Sequence, residues 1–389
     1  MNELFKFIKK NIKFVLRMLF SKSKTIASSK GNSFVLQSFT TNKYEVVCFP
    51  EIFNISNKNK KKIEFENIKL IEFENSTIYS NSDIIELDDF IIWDKFYGNY
   101  WNRLIPLDHI FIYNSKNKIW IDRIKKTKKS DLALSLCGVQ SDIWSHFLVQ
   151  FLPKLLILDE ILKKSNRVPD IIIPDYLDHN ILEIIDKISS NYKNLKFVKL
   201  KRDEKLVCKK LLYVNNFSHL TEHSNSSKYN DVIISDLSLN LLTTKFFDYF
   251  NFEKNYDSHE RIFIERKGVR NISNYKEVKS FLLKHNFKLV NTEKLTINEK
   301  INVFSNAKII TGPASSGFSN IIFCKPKTKV VPMINNKRVN DPYFSTIAEH
   351  LSLELIHFKG EDIDDNFINS DYKIDLKQYS FLINEYIKN

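Results

Sequence analysis

The sequence predicts an α/β protein with parallel sheets in two domains, and three observations support this. In residues 261–333, short apolar runs alternate with amphipathic runs of helical spacing. The same order of apolar run, polar loop and long amphipathic run begins again at Asp131. Strands that alternate with helices are typical of βαβ units, whose strands are parallel. A chain of 389 residues is too long for one ordinary core, which indicates two domains.

The domain boundaries are predicted from changes in pattern along the chain. An amphipathic helix is expected in residues 1–24, an N-terminal domain in 25–250 and a C-terminal domain in 251–389. The segment from Ser21 to Asn32 is small, polar and basic, and it is interpreted as a linker. Residues 33–123 hold short apolar runs separated by Asn, Lys and Ser, so the first domain should begin with a β-rich part.

The periodicity then places each element of the α/β parts. In the N-terminal domain a helix capped by Ser141 or Asp142 is expected to run to Lys164, with a bend at Pro153. The other elements predicted there are strands Asp131–Leu136, Ile171–Pro174, Lys196–Leu200 and Leu206–Val214, and helices Leu177–Ser190 and Asp231–Phe250. Those predicted in the C-terminal domain are strands Ile262–Ile264, Phe287–Val290, Ala307–Thr311 and Val330–Met333, and helices Asn274–Lys284 and Thr296–Ser305.

Residues 3–20 have a one-sided distribution of charge. At ~100° per residue, one arc of a helix carries all the cations, while Leu, Phe, Ile, Val and Met cover most of the remaining surface. These cations are Lys6, Lys9, Lys10, Lys13 and Arg17. This pattern is typical of a helix that lies on an anionic membrane surface. A helix docked on its own protein, with a solvated basic edge, is the alternative.

Composition argues against several other classes of protein. The net charge of +13 does not indicate nucleic-acid binding, because 46 acidic residues are interspersed and no zinc-finger or RNP-type motif appears. The four cysteines are too far apart for a zinc site or a disulfide framework. No cleavable signal peptide or uncharged run of ~18 residues is evident, so a cytoplasmic location is expected.

Two loops that follow predicted strands are candidates for phosphate binding. The first contains Arg266 and Lys267, and the second runs from Gly312 to Gly317 before a short helix predicted near Phe318. Free N–H groups at a helix N-terminus suit a phosphate, and hydroxyls of Ser315 and Ser316 add donors. The alternative is that these residues only cap the helix and make the turn. Only 7 glycines occur in the chain, so two within six residues favour a ligand site.

His146 is the candidate for a general base. It lies near the start of the long helix that follows strand Asp131–Leu136, so it should face the cleft between the domains. A buried histidine satisfied by the backbone is the alternative. His219, His223, Asp88, Asp89, Asp362 and Asp364 have spacings too weak to predict a metal site, so no metal is expected.

The motifs around these residues resemble those of glycosyltransferase family 61. That family has an arginine after a strand, an Asn-Glu-x-Glu element and a Gly-Pro-His-Gly-Ala-Gly-Leu-Thr-Asn block. Arg266 matches the first, Asn274 and Glu277 match parts of the second, and the third is matched by Gly312, Pro313, Gly317, Phe318, Ser319 and Asn320. The family's His-Trp and Leu-Pro pairs correspond to His146-Phe147 and Leu152-Pro153. The sequence departs from the family at Ala314, at Ser315-Ser316, at Pro332 and at Gln150.

The resemblance implies a glycosyltransferase of the GT-B type, in which two Rossmann-like domains face a cleft. It implies a nucleotide-sugar donor, a glycan or lipid-linked glycan acceptor, inverting chemistry and no cofactor or metal, in capsular or similar surface-polysaccharide synthesis at the inner face of the cell membrane. His146 would be the base, and the donor would be bound by Arg266, Lys267, Gly312, Pro313, Ser315, Ser316, Gly317 and Asn320. Another group transfer in the same pathway, or a non-catalytic protein suggested by Ala314, is the alternative.

Overall fold

A computed structural model of the chain shows a mixed α/β fold with two large sheets. It describes residues 22–26, 33–39, 42–65, 67–88, 90–93, 111–115, 118–121, 124–165, 167–220, 232–250, 259–266, 268–364 and 369–388. The helix predicted at residues 3–20 lies outside these ranges. Among the residues described, every helix is too short or too polar to span a lipid bilayer.

The strands are numbered in chain order. They are β1 Lys22–Ile26, β2 Ser33–Phe39, β3 Tyr44–Phe49, β4 Glu51–Ile52, β5 Asn59–Glu64, β6 Ile68–Tyr79, β7 Ile84–Glu86, β8 Phe90–Trp93, β9 Phe111–Ser115, β10 Lys118–Ile121, β11 Lys126–Ser135, β12 Asp170–Pro174, β13 Lys196–Leu200, β14 Glu204–Val214, β15 Ser218–His219, β16 Ile233–Ile234, β17 Arg261–Ile264, β18 Lys288–Val290, β19 Ile309–Pro313, β20 Lys329–Asn335, β21 Glu354–Asp362 and β22 Tyr372–Lys373.

The helices alternate with the strands of the two α/β parts. The α-helices are Trp144–His146, Leu152–Leu156, Leu158–Ser165, His179–Ser189, Asp236–Thr243, Tyr275–Lys284, Ile297–Asn306, Tyr343–His350 and Leu376–Lys388. A π-helical stretch, Phe147–Phe151, joins the first two of them, and the 3-10 helices are Lys245–Asp248, Thr292–Lys294, Ser316–Phe323 and Asn336–Arg338.

The first sheet has a parallel half and a mainly antiparallel half, in which β8 and β1 pair in parallel. Its order is β13-β12-β11-β14-β6-β7-β8-β1-β10-β9, with β2 also on β6. The pairs β13–β12, β12–β11 and β11–β14 are parallel, whereas β6 runs antiparallel to β14. Most strands of the β-rich part predicted for residues 33–123 therefore extend the edge of the α/β sheet, whereas β3 and β5 form a two-stranded sheet of their own.

The second sheet is parallel over its central strands. Its order is β18-β17-β19-β20-β21-β22, and the first five strands run in one direction. All carboxyl ends of these strands therefore lie at the same edge. Alternating strands and helices in residues 261–333 are confirmed, and Thr296 caps helix Ile297–Asn306 in a capping box with Glu299.

An early segment of the chain belongs to this second sheet as well. Strand β4 pairs in parallel with β21, with Glu51 opposite Ile356 and Ile52 opposite His357. Nearby, the backbone N–H of Cys48 donates to Oγ1 of Thr346 at 3.1 Å. Residues 44–56 thus pack against the C-terminal half although they precede most of the first sheet.

Three local predictions are wrong. Residues Lys22–Ile26, expected within a helix and linker, form β1 because they pair with β8 and β10. The helix predicted from Asp231 begins only at Asp236, because Ile233–Ile234 pair with Ser218–His219 and Ser235 supplies the cap. Neither Ser141 nor Asp142 caps the following helix. Two consecutive turns place both ahead of the cap position, which Ile143 occupies.

Glu45 is a carboxylate buried at a junction between the two halves. It is 1% exposed, and its Oε2 accepts the backbone N–H of Asp236 at 3.0 Å. Burial first, and then the neighbouring charge of Asp236, raise the pKa of Glu45 to about 7, against the lowering effect of that hydrogen bond. Because the folded pKa lies above the unfolded value, its contribution to stability is present below pH ~4.5 and is lost as the pH rises through 7.

Glu45→Gln should therefore gain stability relative to the wild type as the pH rises. Glutamine keeps an acceptor for the Asp236 N–H but cannot ionise, so the difference in unfolding free energy should grow by about 2–3 kcal/mol between pH 4.5 and 8. Urea unfolding at both pH values measures this difference. The control is Glu64→Gln, at an exposed position on the neighbouring strand β5. It measures how the removal of a surface carboxylate changes the unfolding free energy. A difference that does not vary with pH would contradict the prediction.

Candidate functional site

A pocket of about 290 Å³ lies where the helix after β11 faces the carboxyl ends of the second sheet. Four of the sequence-predicted site residues line it together, although they come from distant parts of the chain. They are His146, Arg266, Ser315 and Ser316. The rule that parallel strands present their loops at one edge thus places these residues together, as the sequence predicts.

His146 is held by hydrogen bonds from within its own half. It is 7% exposed, and its Nδ1 lies 2.8 Å from Oε1 of Gln150. Nε2 of Gln150 donates to the carbonyl oxygen of Ser218 at 3.0 Å, so Oε1 is the acceptor that faces the imidazole. Nδ1 therefore carries the hydrogen, and the lone pair of the neutral ring is on Nε2. This tautomer suits a base that acts through Nε2.

Arg266 lies two residues beyond the end of β17 and is hydrogen-bonded within both phosphate-loop candidates. Its Nε donates to the carbonyl oxygen of Val269 at 2.7 Å, and its Nη1 donates to that of Ala314. Burial lowers the pKa of the guanidinium. Neither bond uses Nη2, which leaves two N–H donors for an anionic ligand. Lys267 lies outside the described residues.

The second loop owes its shape to Gly312 and Gly317. Gly312 has φ +141°, and a Cβ there would come 2.4 Å from the carbonyl oxygen of Ile264 in β17. At Gly317 a Cβ would come 2.6 Å from Oγ1 of Thr292. Both glycines therefore allow close packing of the loop on its neighbours. Ser315 and Ser316 then start a 3-10 helix, whose first N–H groups have no helical partners.

Pro313 and Asn320 match the predicted motif but do not line the pocket. Pro313 is buried at the end of β19. Asn320 is fully buried; its Oδ1 accepts the indole N–H of Trp144 at 3.1 Å, and its Nδ2 donates to the Gly317 carbonyl at 2.8 Å. The structure thus places Asn320 behind the loop, where it joins Gly317 to the helix that carries His146.

Four further residues line the same pocket but were not predicted from the sequence. They are Arg270, Arg338, Asp341 and Tyr343. Arg338 is 8% exposed, and its Nη2 donates to Oδ2 of Asp341 at 2.9 Å. Within the described residues, the buried Nε atoms of Arg338 and Arg270 have no hydrogen-bond partner. Arg338 lies three residues beyond the end of β20. It is therefore identified when ligand-binding residues are expected after the carboxyl end of β20 as well.

The pocket is cationic. Three guanidinium groups line it, and the carboxylate of Asp341 is paired with one of them. Buried charges and unpartnered N–H donors carry a free-energy cost that an anionic ligand with several oxygen acceptors relieves. The pocket thus presents donors for an anion beside an imidazole whose lone pair can take a proton.

Comparison with known proteins places part of the chain in a described family. Residues 144–331 match the family described as Glycosyltransferase 61. No curated protein matches the chain. The matched range contains His146, both phosphate-loop candidates and Asn320, whereas Arg338 and the residues after it lie beyond the match. A glycosyltransferase of this family uses, in general, a nucleotide-sugar donor and a glycan acceptor.

Gly312→Ala should destabilise the protein more than Gly268→Ala. Both glycines have positive φ, +141° and +103°, but a Cβ at Gly268 meets nothing within 4 Å. Gly268→Ala thus measures the backbone strain alone, about 1–3 kcal/mol. Gly312→Ala adds a clash with the Ile264 carbonyl, which we expect to cost about 1–3 kcal/mol more. Chemical denaturation of both variants measures the difference, and equal losses would contradict the prediction.

Proposed function

We propose that this protein, whose residues 144–331 match the glycosyltransferase 61 family, transfers a sugar from a nucleotide-sugar donor to a growing surface glycan of capsular or lipopolysaccharide type. The transfer inverts the anomeric carbon and needs no metal ion. One observation carries the proposal: a single pocket joins His146 from one half to Arg266, Ser315 and Ser316 from the other.

The donor's diphosphate binds among the guanidinium groups. Nη2 of Arg266 and the unpartnered Nε atoms of Arg270 and Arg338 provide charged donors, and Ser315 and Ser316 add hydroxyl and backbone N–H groups. Lys267, next to Arg266 in the chain, is a further candidate. In this proposal the two domains predicted from the sequence, residues 25–250 and 251–389, face each other across this cleft in a GT-B arrangement, with residues 44–56 of the first packed against the second. The guanidinium charges support a metal-independent reaction, because they can stabilise the departing diphosphate.

His146 acts as the general base. Nε2 takes the proton of the acceptor hydroxyl while its oxygen bonds to the anomeric carbon of the donor sugar. The bond from that carbon to the diphosphate oxygen breaks at the same time on the opposite face, and its electron pair leaves with the diphosphate. The contact of Nδ1 with Gln150 supports this role, because it stabilises the imidazolium that forms.

The N-terminal residues place the enzyme at the cytoplasmic face of the membrane, where a lipid-linked acceptor is available. Five cations along one face of residues 3–20 support binding to anionic lipid. Cosedimentation of the full chain with anionic vesicles tests this, with a variant in which these cations are glutamates as the comparison. Equal sedimentation of both proteins would overturn it.

The function is tested with a panel of nucleotide sugars. A donor should raise the melting temperature and should be hydrolysed slowly in the absence of acceptor, with or without EDTA. Loss of activity in EDTA would refute metal independence. Absence of binding and of turnover with every donor would favour the non-catalytic alternative.

Arg266→Ala should weaken nucleoside diphosphate binding by roughly 10–150-fold. The lost charge-assisted bonds are worth about 1.5–3 kcal/mol, and calorimetry measures the change in Kd. The control is Arg261→Ala at the other end of β17, where Nη1 bonds to the His285 carbonyl at 2.9 Å. That variant should lose some stability but no affinity. Equal Kd values for Arg266→Ala and the wild type would remove Arg266 from the donor site.

His146→Ala should lower kcat by about 10²–10⁴-fold while donor affinity stays near that of the wild type. Single-turnover kinetics and calorimetry separate the two effects. Gln150→Ala should lower kcat less, because it removes the partner of Nδ1 and leaves the base in place. If His146→Ala melts early but keeps its activity per folded molecule, the histidine is part of the core and the base lies elsewhere.

A further inference from the structure

A second cavity, of about 930 Å³, opens on the C-terminal half and has no part in the chemistry above. The turn after β4, the end of β21, the start of the last helix and the start of helix Tyr275–Lys284 form its walls. We call this cavity the groove, and its volume is well above the 290 Å³ of the cationic pocket.

One turn of chain separates this groove from the cationic pocket. In the 3-10 helix Asn336–Arg338, the first residue lines the groove and the last lines the pocket. The backbone N–H of Asn336 donates to Oδ1 of Asp362 at 2.8 Å, which anchors the turn to the groove wall. The two sites are thus neighbours at the carboxyl ends of the parallel strands β20 and β21, which is the arrangement that one long ligand would need.

Planar polar side chains in the groove are held in fixed positions. Asp375 accepts the backbone N–H groups of Lys377 and Gln378 at 3.0 and 3.1 Å, and its other oxygen accepts from the Gln378 side chain at 3.1 Å. Asn274 bonds to both the N–H and the carbonyl of Ile374, at 3.0 and 2.9 Å. Preorganised amide and carboxylate groups suit a ligand that carries many hydroxyls.

The groove also has an apolar platform. The half-buried ring of Phe53 stacks on the buried ring of Phe358, with centroids 5.8 Å apart and an interplanar angle of 24°. Ile55, two residues further on, is 59% exposed. Such apolar surfaces can pack against the C–H faces of sugar rings, while the polar groups bond to the ring hydroxyls.

The charge of the groove is opposite to that of the pocket. Its acidic residues, Glu277, Glu361, Asp362 and Asp375, outnumber its lysines, Lys359 and Lys373. An excess of carboxylates disfavours a phosphate or another polyanion. The groove therefore fits an uncharged, hydroxyl-rich chain better than it fits the diphosphate that the pocket would bind.

We propose that this groove binds the growing glycan chain, several sugars back from the hydroxyl that is extended. The inference rests on the proposed function, which supplies a polymeric acceptor beside the pocket. A glycan that lies across the Asn336–Arg338 turn gains contacts with the protein for each added sugar until the groove is full. Affinity for the acceptor should thus increase with its length and then level off.

The test uses oligosaccharides of increasing length, made by partial hydrolysis of the surface polysaccharide of the source cells. The full-length wild type should bind the long fragments more tightly than the short ones in calorimetry. A double variant, Ile55→Ala with Gln378→Ala, should lose about tenfold in affinity for the long fragments only. Both positions are exposed, so folding should be intact, and Phe53→Ala provides a second variant of the platform.

The control is Phe381→Ala, at a 63% exposed position on the last helix outside the groove lining. It should bind every fragment as the wild type does. Affinity that does not depend on length overturns the proposal, as does a double variant that binds long fragments normally. A double variant that loses affinity for nucleoside diphosphates also overturns it, since the groove would then hold the donor's nucleoside. If the affinity depends on fragment length but the protein turns over no donor, glycan binding in the groove is supported and the proposed transferase activity is refuted.

Discussion

The contact between Trp144 and Asn320 is the interaction on which the site depends. The indole N–H of Trp144, two residues before His146, bonds to a side chain directly behind the Gly312–Gly317 loop. Lys300 covers the same indole ring, with Nζ 4.3 Å from its centroid, and burial lowers the pKa of this lysine to about 8. The helix that carries the imidazole is thereby fixed against the loop that carries the hydroxyls, and neither half forms the pocket alone.

Other bonds between the halves surround this contact. The hydroxyl of Tyr343 donates to the Ser145 carbonyl at 3.1 Å, and the carboxylate of Glu183 accepts the N–H of Ile297 at the start of helix Ile297–Asn306. Phe246 stacks on Phe323 with centroids 5.6 Å apart. Tyr343 and Ser145 line the pocket, and Phe323 ends the 3-10 helix that follows the Gly312–Gly317 loop, so contacts between the halves help to set the geometry of the pocket.

Much of this arrangement could be predicted from the sequence, because it follows from local patterns. Alternating strands and helices in residues 261–333, together with the strand-end rule, place Arg266, Ser315 and His146 at one site. The motif gives no sign that Trp144 bonds to the side-chain amide of Asn320. The ligand contact predicted for Asn320 remains a prediction. The π-helical turn at Phe147–Phe151 and the pair Arg338–Asp341 were missed. The first is not visible in a 3.6-residue period, and the second follows β20, whose carboxyl end carries no recognisable loop motif in the sequence.

The pairing of β4 with β21 joins residues about 300 positions apart in the sequence, and this has a consequence for the order of events during synthesis. When Glu51 and Ile52 leave the ribosome, the strand that they will join does not yet exist. Strand β4 cannot form this pairing until residue 357 has emerged, so the pairing closes a very long loop late in synthesis. The groove wall at Phe53–Ile55 is therefore completed only after the whole C-terminal sheet is in place, and a nascent or truncated chain would lack it.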